Sequence, residues 1–213
     1  MTDAEAPRDA VDEAAAAAEP RGEHRDRVIH VHDPGPMRAL AHPLRLRILG
    51  LLRVEGPQSV GALAQATGAA SGSVSYHLAT LAKHGFVVPA PELERDGRER
   101  WWKAAHEMTT SQSAEFLDDP DRREADEAMR RAVLDLYHRE LLQALDAELD
   151  LEPEWVAASD SSDGGAQLTL DEFRQLTAEL EAVREKWWAR GREPREGTRA
   201  VRWITHTFPR TLS

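Results

Sequence analysis

The chain has 213 residues, no cysteine and a formal net charge of -11, from 38 acidic and 27 basic residues. This length allows one or two domains, and the lack of cysteine excludes a disulfide framework, a thiolate metal site and a cysteine nucleophile. No apolar run is long enough to cross a bilayer, and the acidic N-terminus is unlike a signal peptide, so we expect a cytoplasmic protein that contacts no membrane.

Charge is unevenly distributed along the chain. Residues 1–27 hold eight acidic residues and four arginines and almost nothing large to bury, which predicts a disordered acidic tail. Residues 38–104 hold nine basic and five acidic residues, whereas residues 105–213 hold 14 basic and 24 acidic ones. The middle segment is therefore the part of the chain that is compatible with binding a polyanion.

Two helices are predicted at the start of this basic segment. Pro43 fits the first position of a helix, with His42 as its N-cap, because proline lacks an N–H and has its φ preset. The apolar stripe of this helix is expected to be Leu44, Ile48, Leu51 and Leu52. Ser59 is a suitable N-cap for a second helix, and Gly68 ends it because glycine accepts the left-handed conformation.

The next segment, ASGSVSYHLATLAKHG, has the composition of a DNA-recognition helix. Three apolar residues share the predicted core face: Val74, Leu78 and Leu81. The opposite side is small, hydroxylated and ends in a cation: Gly72, Ser73, Tyr76, Thr80 and Lys83, with Ser75 on one flank. Such a helix approaches base edges closely, although an ordinary amphipathic helix with a solvated serine-rich face has the same composition. For His77 the sequence favours a phosphate contact and a place at the edge of the core equally.

FVVPAPELERDGRERWWKAA reads as strand, turn and strand. Asp96-Gly97 is a two-residue hairpin signal, and Pro89 and Pro91 predict that the first strand is either an edge strand or a broken one. Three arginines cluster at the predicted tip: Arg95, Arg98 and Arg100. A hairpin with arginines at its tip, directly after such helices, predicts a winged helix whose wing contacts the DNA backbone or the minor groove.

The motifs AHPLRLRILGLL, ALAQATGAASGSVSYHLATLAKHGFV and GRERWWKAA resemble the winged helix-turn-helix of arsenical-repressor (ArsR) type bacterial regulators, over about residues 37–105. The resemblance implies that three residues face the major groove: Ser71, Ser73 and Tyr76. It also implies that Ser59 opens the preceding helix against a phosphate and that Arg98 lies in the wing. His42 stands where the family often has aspartate, and the cysteine metal ligands of the family are absent, which argues against metal sensing.

One long helix is predicted over residues 120–151, between the helix start at Asp118-Asp119-Pro120 and the proline at Pro153. Its length at 1.5 Å per residue is about 48 Å. Its apolar face contains Met129, Val133, Leu136, Tyr137, Leu141, Ala144, Leu145 and Leu149. This face either pairs two DNA-binding heads in a homodimer, which the resemblance favours, or packs within its own subunit.

The remaining C-terminal segment predicts a small α+β element. Thr169 and Glu172 form a capping box for a helix that ends at Gly191. The alternation in TRAVRWITHTF, over residues 201–207, and the segment EWVAA each predict a strand. Four tryptophans either line the pocket of an unidentified small-molecule effector or form core: Trp155, Trp187, Trp188 and Trp203.

Two groups of polar residues have spacings that suit zinc or nickel. They are His30, His32 and Asp33, and Asp135, His138 and Glu140. Each supplies only two or three ligands, so solvated side chains are the better interpretation and no cofactor is expected. No phosphate loop, nucleophile elbow or paired catalytic carboxylate motif is present, and we do not expect an enzyme.

The predicted fold class is mainly α with a small β content (α+β). The expected parts are a disordered acidic tail over 1–27, a winged helix-turn-helix over 28–106, a long dimerisation helix region over 107–152 and the C-terminal α+β element over 153–213.

The predicted function is a DNA-binding transcriptional regulator, a repressor, acting as a homodimer on a palindromic operator in double-stranded DNA. The predicted DNA-binding residues are Ser59, Ser71, Ser73, Ser75, Tyr76, His77, Lys83, Arg95, Arg98 and Arg100. The alternatives are a metal-responsive sensor with histidine and aspartate ligands and a winged-helix module that binds a protein partner.

Overall fold

The structure is a computed structural model that describes residues 27–93, 99–191 and 195–210. Its described residues are mostly helical, with two small sheets, which confirms the predicted α+β class. The chain divides into two compact units, Met1–Arg139 and Glu140–Ser213. None of the described helices is both long enough and apolar enough to span a membrane.

The first unit contains most of the regular structure. Its helices are α1 Pro34–Leu40, α2 Pro43–Val54, α3 Val60–Thr67, α4 Ser71–Lys83 and most of α5 Pro120–Asp146. Its strands are β1 Val28–His30, β2 Gln58–Ser59, β3 Val87–Pro89, β4 Trp101–Ala104 and β5 Met108–Thr110.

The strands form two separate sheets. β4 lies between β2 and β3 and is antiparallel to both, with Ser59 opposite Trp101 and Val87 opposite Ala104. β3 is therefore an edge strand, as its proline predicts. The second sheet pairs β1 with β5 in parallel, Val28 opposite Met108. The predicted hairpin strands are confirmed by β3 and β4, but the tip residues Glu94, Arg95, Asp96, Gly97 and Arg98 lie outside the described residues.

The boundaries of α2 and α3 follow the predicted caps. Pro43 begins α2, and the His42 ring accepts a hydrogen bond from the backbone N–H of Leu44 at 3.2 Å. The Ser59 hydroxyl accepts one from the N–H of Ala62 at 3.2 Å, and Gly68 ends α3 with a φ of 71°. These contacts satisfy helix-terminal groups that otherwise depend on solvent, and they fix where each helix begins and ends.

The core of the first unit lies between α1, α2, α3, α4 and the three-stranded sheet. The predicted core face of α4 is confirmed, because Val74, Leu78 and Leu81 are completely buried. The stripe predicted for α2 is only partly correct. Ile48 and Leu52 are buried, whereas Leu44 and Leu51 are partly buried and their places in the core are taken by Leu46 and Leu49. The difference arises because α2 contacts α1, α3, α4 and β4, so more than one side of it is covered.

The long helix α5 ends at Asp146, five residues before the predicted end. A short 3-10 turn, Glu148–Asp150, follows, and Pro153 then begins another helix. Ala125, Met129 and Ala132 are buried in the first unit, so the N-terminal half of α5 packs in its own subunit. The buried Asp126 carboxylate accepts hydrogen bonds of 2.7 Å from Ser111 and Ser113, which anchors the helix to the segment after β5.

The second unit contains the end of α5 and two helices, α6 Pro153–Ala158 and α7 Leu170–Arg190. The predicted capping box is confirmed, since Thr169 and Glu172 bond each other's backbone N–H groups. Both predicted strands are wrong. The segment EWVAA lies in α6, because Pro153 fits the first helical position, and residues 201–207 form no strand because no described segment pairs with them.

Candidate nucleic-acid interface

The outward face of α4 is exposed as the sequence predicts. Four of its predicted DNA-binding residues are exposed: Ser71, Ser73, Ser75 and Tyr76. The Tyr76 side chain is 67% accessible, an unusual exposure for an aromatic ring in a folded chain. Because the opposite side of the helix is anchored by fully buried residues, this face is held on a rigid support.

The start of α4 is open to a ligand. Ala70 occupies the N-cap and no side chain of the described residues caps the helix. The first backbone N–H groups therefore have no side-chain acceptor, and the first turn has no acidic residue. An N-terminus in this state presents hydrogen-bond donors and the positive end of the helix dipole, which suits a phosphate oxygen.

His77 lies inside the first unit, with 7% of its surface exposed. Its ring packs against that of His42 with the centroids 4.5 Å apart, and the Tyr76 ring meets it edge-on at 5.3 Å. Burial lowers the pKa of His77, and His42 and Arg45 lower it further. The structure therefore favours the core alternative for this residue, whose ring lies against that of Tyr76.

The Ser59 side chain is also inside the protein, 3% exposed. Its hydroxyl caps α3 and donates to the carboxylate of Glu99, a residue that precedes β4. A Cβ at Gly61 would meet the same carboxylate at 2.9 Å. A carboxylate of the chain itself thus lies at the start of α3, where the resemblance implies a DNA phosphate, and the sequence gives no signal for this contact.

Most basic residues of the basic segment form ion pairs or hydrogen bonds with other residues of the chain. Arg38 pairs with Asp121, and Lys103 lies 2.7 Å from Glu92. Three arginines donate to backbone carbonyls of the first unit: Arg45 to Ala39 and Arg38, Arg47 to Ala66 at 2.7 Å, and Arg53 to His106 at 2.9 Å.

Two predicted phosphate-binding cations remain exposed and form no ion pair within the described part of the chain, Lys83 at the end of α4 and Arg100 before β4. The Arg100 carbonyl accepts from the N–H of Val60 at 3.2 Å, which places this residue beside the start of α3. Arg95 and Arg98 lie outside the described residues. The exposed cations and the hydroxyl face of α4 belong to the same unit of the fold.

A family model described as a helix-turn-helix domain matches residues 40–89, from the end of α1 to β3. The chain contains a helix-turn-helix domain. In this domain α3 and α4 are the paired helices, and α4 is the one whose exposed face carries the candidate base contacts. The domain suggests a DNA-binding regulator. No curated protein matches the chain in a sequence comparison.

Each of the two groups considered as metal ligands contains residues with other contacts in the structure. The His30 and His32 rings stack with their centroids 6.2 Å apart, and His32 lies 3.1 Å from the Glu115 carboxylate. Glu140 lies 3.3 Å from the Arg202 guanidinium. Across residues 27–93, 99–191 and 195–210, no three histidine, aspartate or glutamate side chains come together as ligands of one ion.

The C-terminal tryptophans do not form a buried core. Trp187 and Trp203 are exposed, whereas Trp155 and Trp188 are partly buried. The Arg199 guanidinium lies 5.3 Å from the centre of the Trp155 ring, and Lys186 and Arg190 each lie 5.8 Å from that of Trp187. These rings are therefore at a surface, flanked by cations, and the interpretation of them as core is wrong.

Proposed function

We propose that the chain is a transcriptional regulator of the ArsR-like winged-helix type, a repressor that binds a palindromic operator in double-stranded DNA as a homodimer. The observation that carries the proposal is the exposed hydroxyl face of α4 inside the helix-turn-helix domain. That face combines small side chains, an uncapped N-terminus and one exposed tyrosine on a fully buried apolar support. Such a helix fits the major groove.

The residues divide into two roles. Four side chains on α4 read base edges: Ser71, Ser73, Ser75 and Tyr76. Four cations contact phosphates and set the position of the domain on the duplex: Lys83, Arg95, Arg98 and Arg100. Ser59 and His77 support this surface from inside, because the first caps α3 and the second packs beneath Tyr76. A repressor of this kind excludes the transcription machinery by occupying its operator.

Two copies of the chain are needed to read two half-sites. A symmetric dimer places its recognition helices about 34–36 Å apart, one turn of DNA, so the operator repeats the symmetry of the protein. Leu134, Leu141, Leu142 and Leu145 of α5 are exposed, as expected of a helix whose C-terminal half has a partner outside its own subunit.

The experiment starts from a pool of random duplex DNA, from which the full chain selects its preferred sequence. Affinities for the selected sequence and for random duplex are then measured over a range of salt concentrations. We expect Arg100→Ala to weaken binding to both DNAs and to reduce the salt slope by about 1 per subunit, since one phosphate contact is lost. Arg131→Ala on α5 has the same charge change at an exposed site and serves as the control.

Tyr76→Ala should act differently. Loss of a base contact costs about 1–3 kcal/mol at one base pair and leaves random duplex almost unaffected. We therefore expect the selected sequence to change at one symmetric pair of positions while the salt slope is retained. Selection that yields no sequence bound more tightly than random duplex would contradict the proposed function.

A further inference from the structure

The described residues of the second unit form no buried core. No described residue after Ala132 is buried, although the unit contains many large apolar side chains. A chain segment that exposes a continuous apolar surface of this kind normally has a partner that covers it.

The apolar residues of α7 lie on one stripe with a regular spacing. They are Phe173, Leu176, Leu180, Val183 and Trp187, separated alternately by three and four residues. This 3-4 spacing places them at the a and d positions of a heptad, the pattern of a helix that pairs with another helix. Phe173 is partly buried and the other four are exposed, Val183 to 56% and Trp187 to 53%.

The charges beside the stripe favour a second copy of the same helix. Glu179 and Arg184 occupy the g and e positions on opposite sides of the stripe, five residues apart. In a parallel pair of identical helices, a g residue faces the e residue five positions later in the partner. Each Glu179 then faces Arg184 of the second copy, which gives two attractive contacts. An antiparallel pair with full overlap sets the two Glu179 carboxylates against each other.

Glu179 and Arg184 form hydrogen bonds within α7, and each can exchange its partner for one on a second copy. Glu179 accepts a hydrogen bond from Gln175 at 2.8 Å, and Arg184 donates to Glu181 at 2.9 Å, both within α7. Arg184 is partly buried, and pairs three or four residues apart on a helix contribute only about 0.2–0.5 kcal/mol. They are easily exchanged for contacts across a dimer.

We propose that α7 pairs in parallel with α7 of a second copy and that this pair is the centre of the homodimer interface. The stripe of Phe173, Leu176, Leu180, Val183 and Trp187 packs against its symmetric copy, and Glu179 pairs with Arg184 of the other subunit. This places the centre of the dimer contact in a helix after the predicted dimerisation region of residues 107–152, so that α5 contributes only to its periphery. It rests on the proposed function only for the existence of a homodimer, which forms without DNA.

The first test measures the dissociation constant of the full-length dimer by analytical ultracentrifugation without DNA. Leu180→Glu puts a charge at the centre of the stripe in both subunits. Because two leucines leave the interface, we expect the dissociation constant to rise by at least about 100-fold. Ala178→Glu adds the same charge on the opposite side of α7, where Ala178 is exposed, and should leave the dimer unchanged.

The second test reverses the charges and does not depend on the core residues. Glu179→Arg or Arg184→Glu alone places like charges opposite each other across the dimer. Each should raise the dissociation constant by about 5-fold to 10-fold. The double variant exchanges the two charges and should return the dissociation constant to within about twofold of the original.

A monomeric full-length chain, a dimer that survives Leu180→Glu, or a double variant no tighter than the single ones would each overturn the proposal. The outcome is separate from that of DNA binding. A dimer with these responses but without operator selection leaves the α7 interface intact and contradicts only the proposed function.

Discussion

The His42 ring, at the start of α2, packs against the His77 ring on α4, and this contact depends on the protonation of both rings. The His42 ring accepts a hydrogen bond from the N–H of Leu44, so the accepting nitrogen must carry no proton. Burial lowers the pKa of both rings, and the Arg45 guanidinium lowers both further. Two neutral rings at 4.5 Å pack well, whereas two imidazolium ions beside an arginine repel.

The stability of the fold should therefore decrease in mild acid. A histidine whose pKa is lower in the folded chain than in the unfolded chain binds its proton more readily when unfolded. The stabilisation is fully present above the unfolded value of about 6.5 and is lost as the pH falls through the lowered folded values. We expect the urea concentration at the unfolding midpoint to decrease as the pH is lowered from about 7.5 to about 5.5.

His42→Asn is the matched variant for this measurement. Asparagine keeps an N-cap acceptor and removes one titrating group, so its midpoint should depend less on pH over the same range. Equal pH dependence in the two proteins would show that His42 is not a source of the effect.

The helices whose boundaries depend on residues within one turn of their ends are predicted well from the sequence. Pro43, Ser59 and Gly68 each act within a turn of helix, and the structure uses all three as expected. The spacing of Val74, Leu78 and Leu81 fixes the orientation of α4 for the same reason. His77 lies three residues after Val74, on the same face, and this spacing was the signal that it is buried.

The predictions that failed needed knowledge of distant parts of the chain. Pro153 ends a helical pattern and also begins a helix, and only the path of the chain decides which role matters. The alternation over residues 201–207 requires a neighbouring strand, which a local pattern does not supply. The charge count over residues 38–104 includes arginines that bind carbonyls far along the chain, as Arg53 does with His106.

The contact between Glu99 and the start of α3 leads to a prediction about the affinity of the chain for DNA. Glu99→Gln keeps an acceptor for Ser59 and removes a negative charge beside the helix terminus that the resemblance assigns to a phosphate. A charge at a helix terminus contributes about 0.3–1 kcal/mol at low salt, so we expect about twofold to fivefold tighter binding to random duplex DNA.

Fluorescence anisotropy at low salt measures this change. Glu154→Gln alters the net charge equally at an exposed site on α6 in the second unit. If both variants tighten binding by the same factor, the effect is one of net charge and the position of Glu99 has no part in it.

For the whole molecule, charge and apolar surface are divided between the two units. The first unit has its own core and displays the helix-turn-helix surface, whereas the second unit buries no described residue. If a second copy covers the apolar stripe of α7 as proposed, the stability of the second unit should depend on protein concentration. The net charge of -11 reflects mainly the parts of the chain outside the basic segment and does not describe the proposed DNA-binding face.

The acidic residues of the N-terminal segment should oppose non-specific DNA binding by the whole molecule. Residues 1–26 hold eight acidic residues and three arginines, and a dimer has two such segments. Deletion of these residues removes repulsion between polyanions, so affinity for random duplex should rise at low salt. The gain should shrink near 0.15 M salt, where the Debye length is about 8 Å.

A second variant distinguishes the effect of the negative charge of this segment from the effect of its size. Replacing the eight acidic residues of 1–26 by their amides keeps the length of the segment and leaves three arginines, so it should tighten binding at least as much as deletion. Tighter binding after deletion but not after neutralisation would mean that the segment obstructs DNA sterically. Unchanged binding in both variants would show that the acidic charge of this segment does not reach the DNA-binding face.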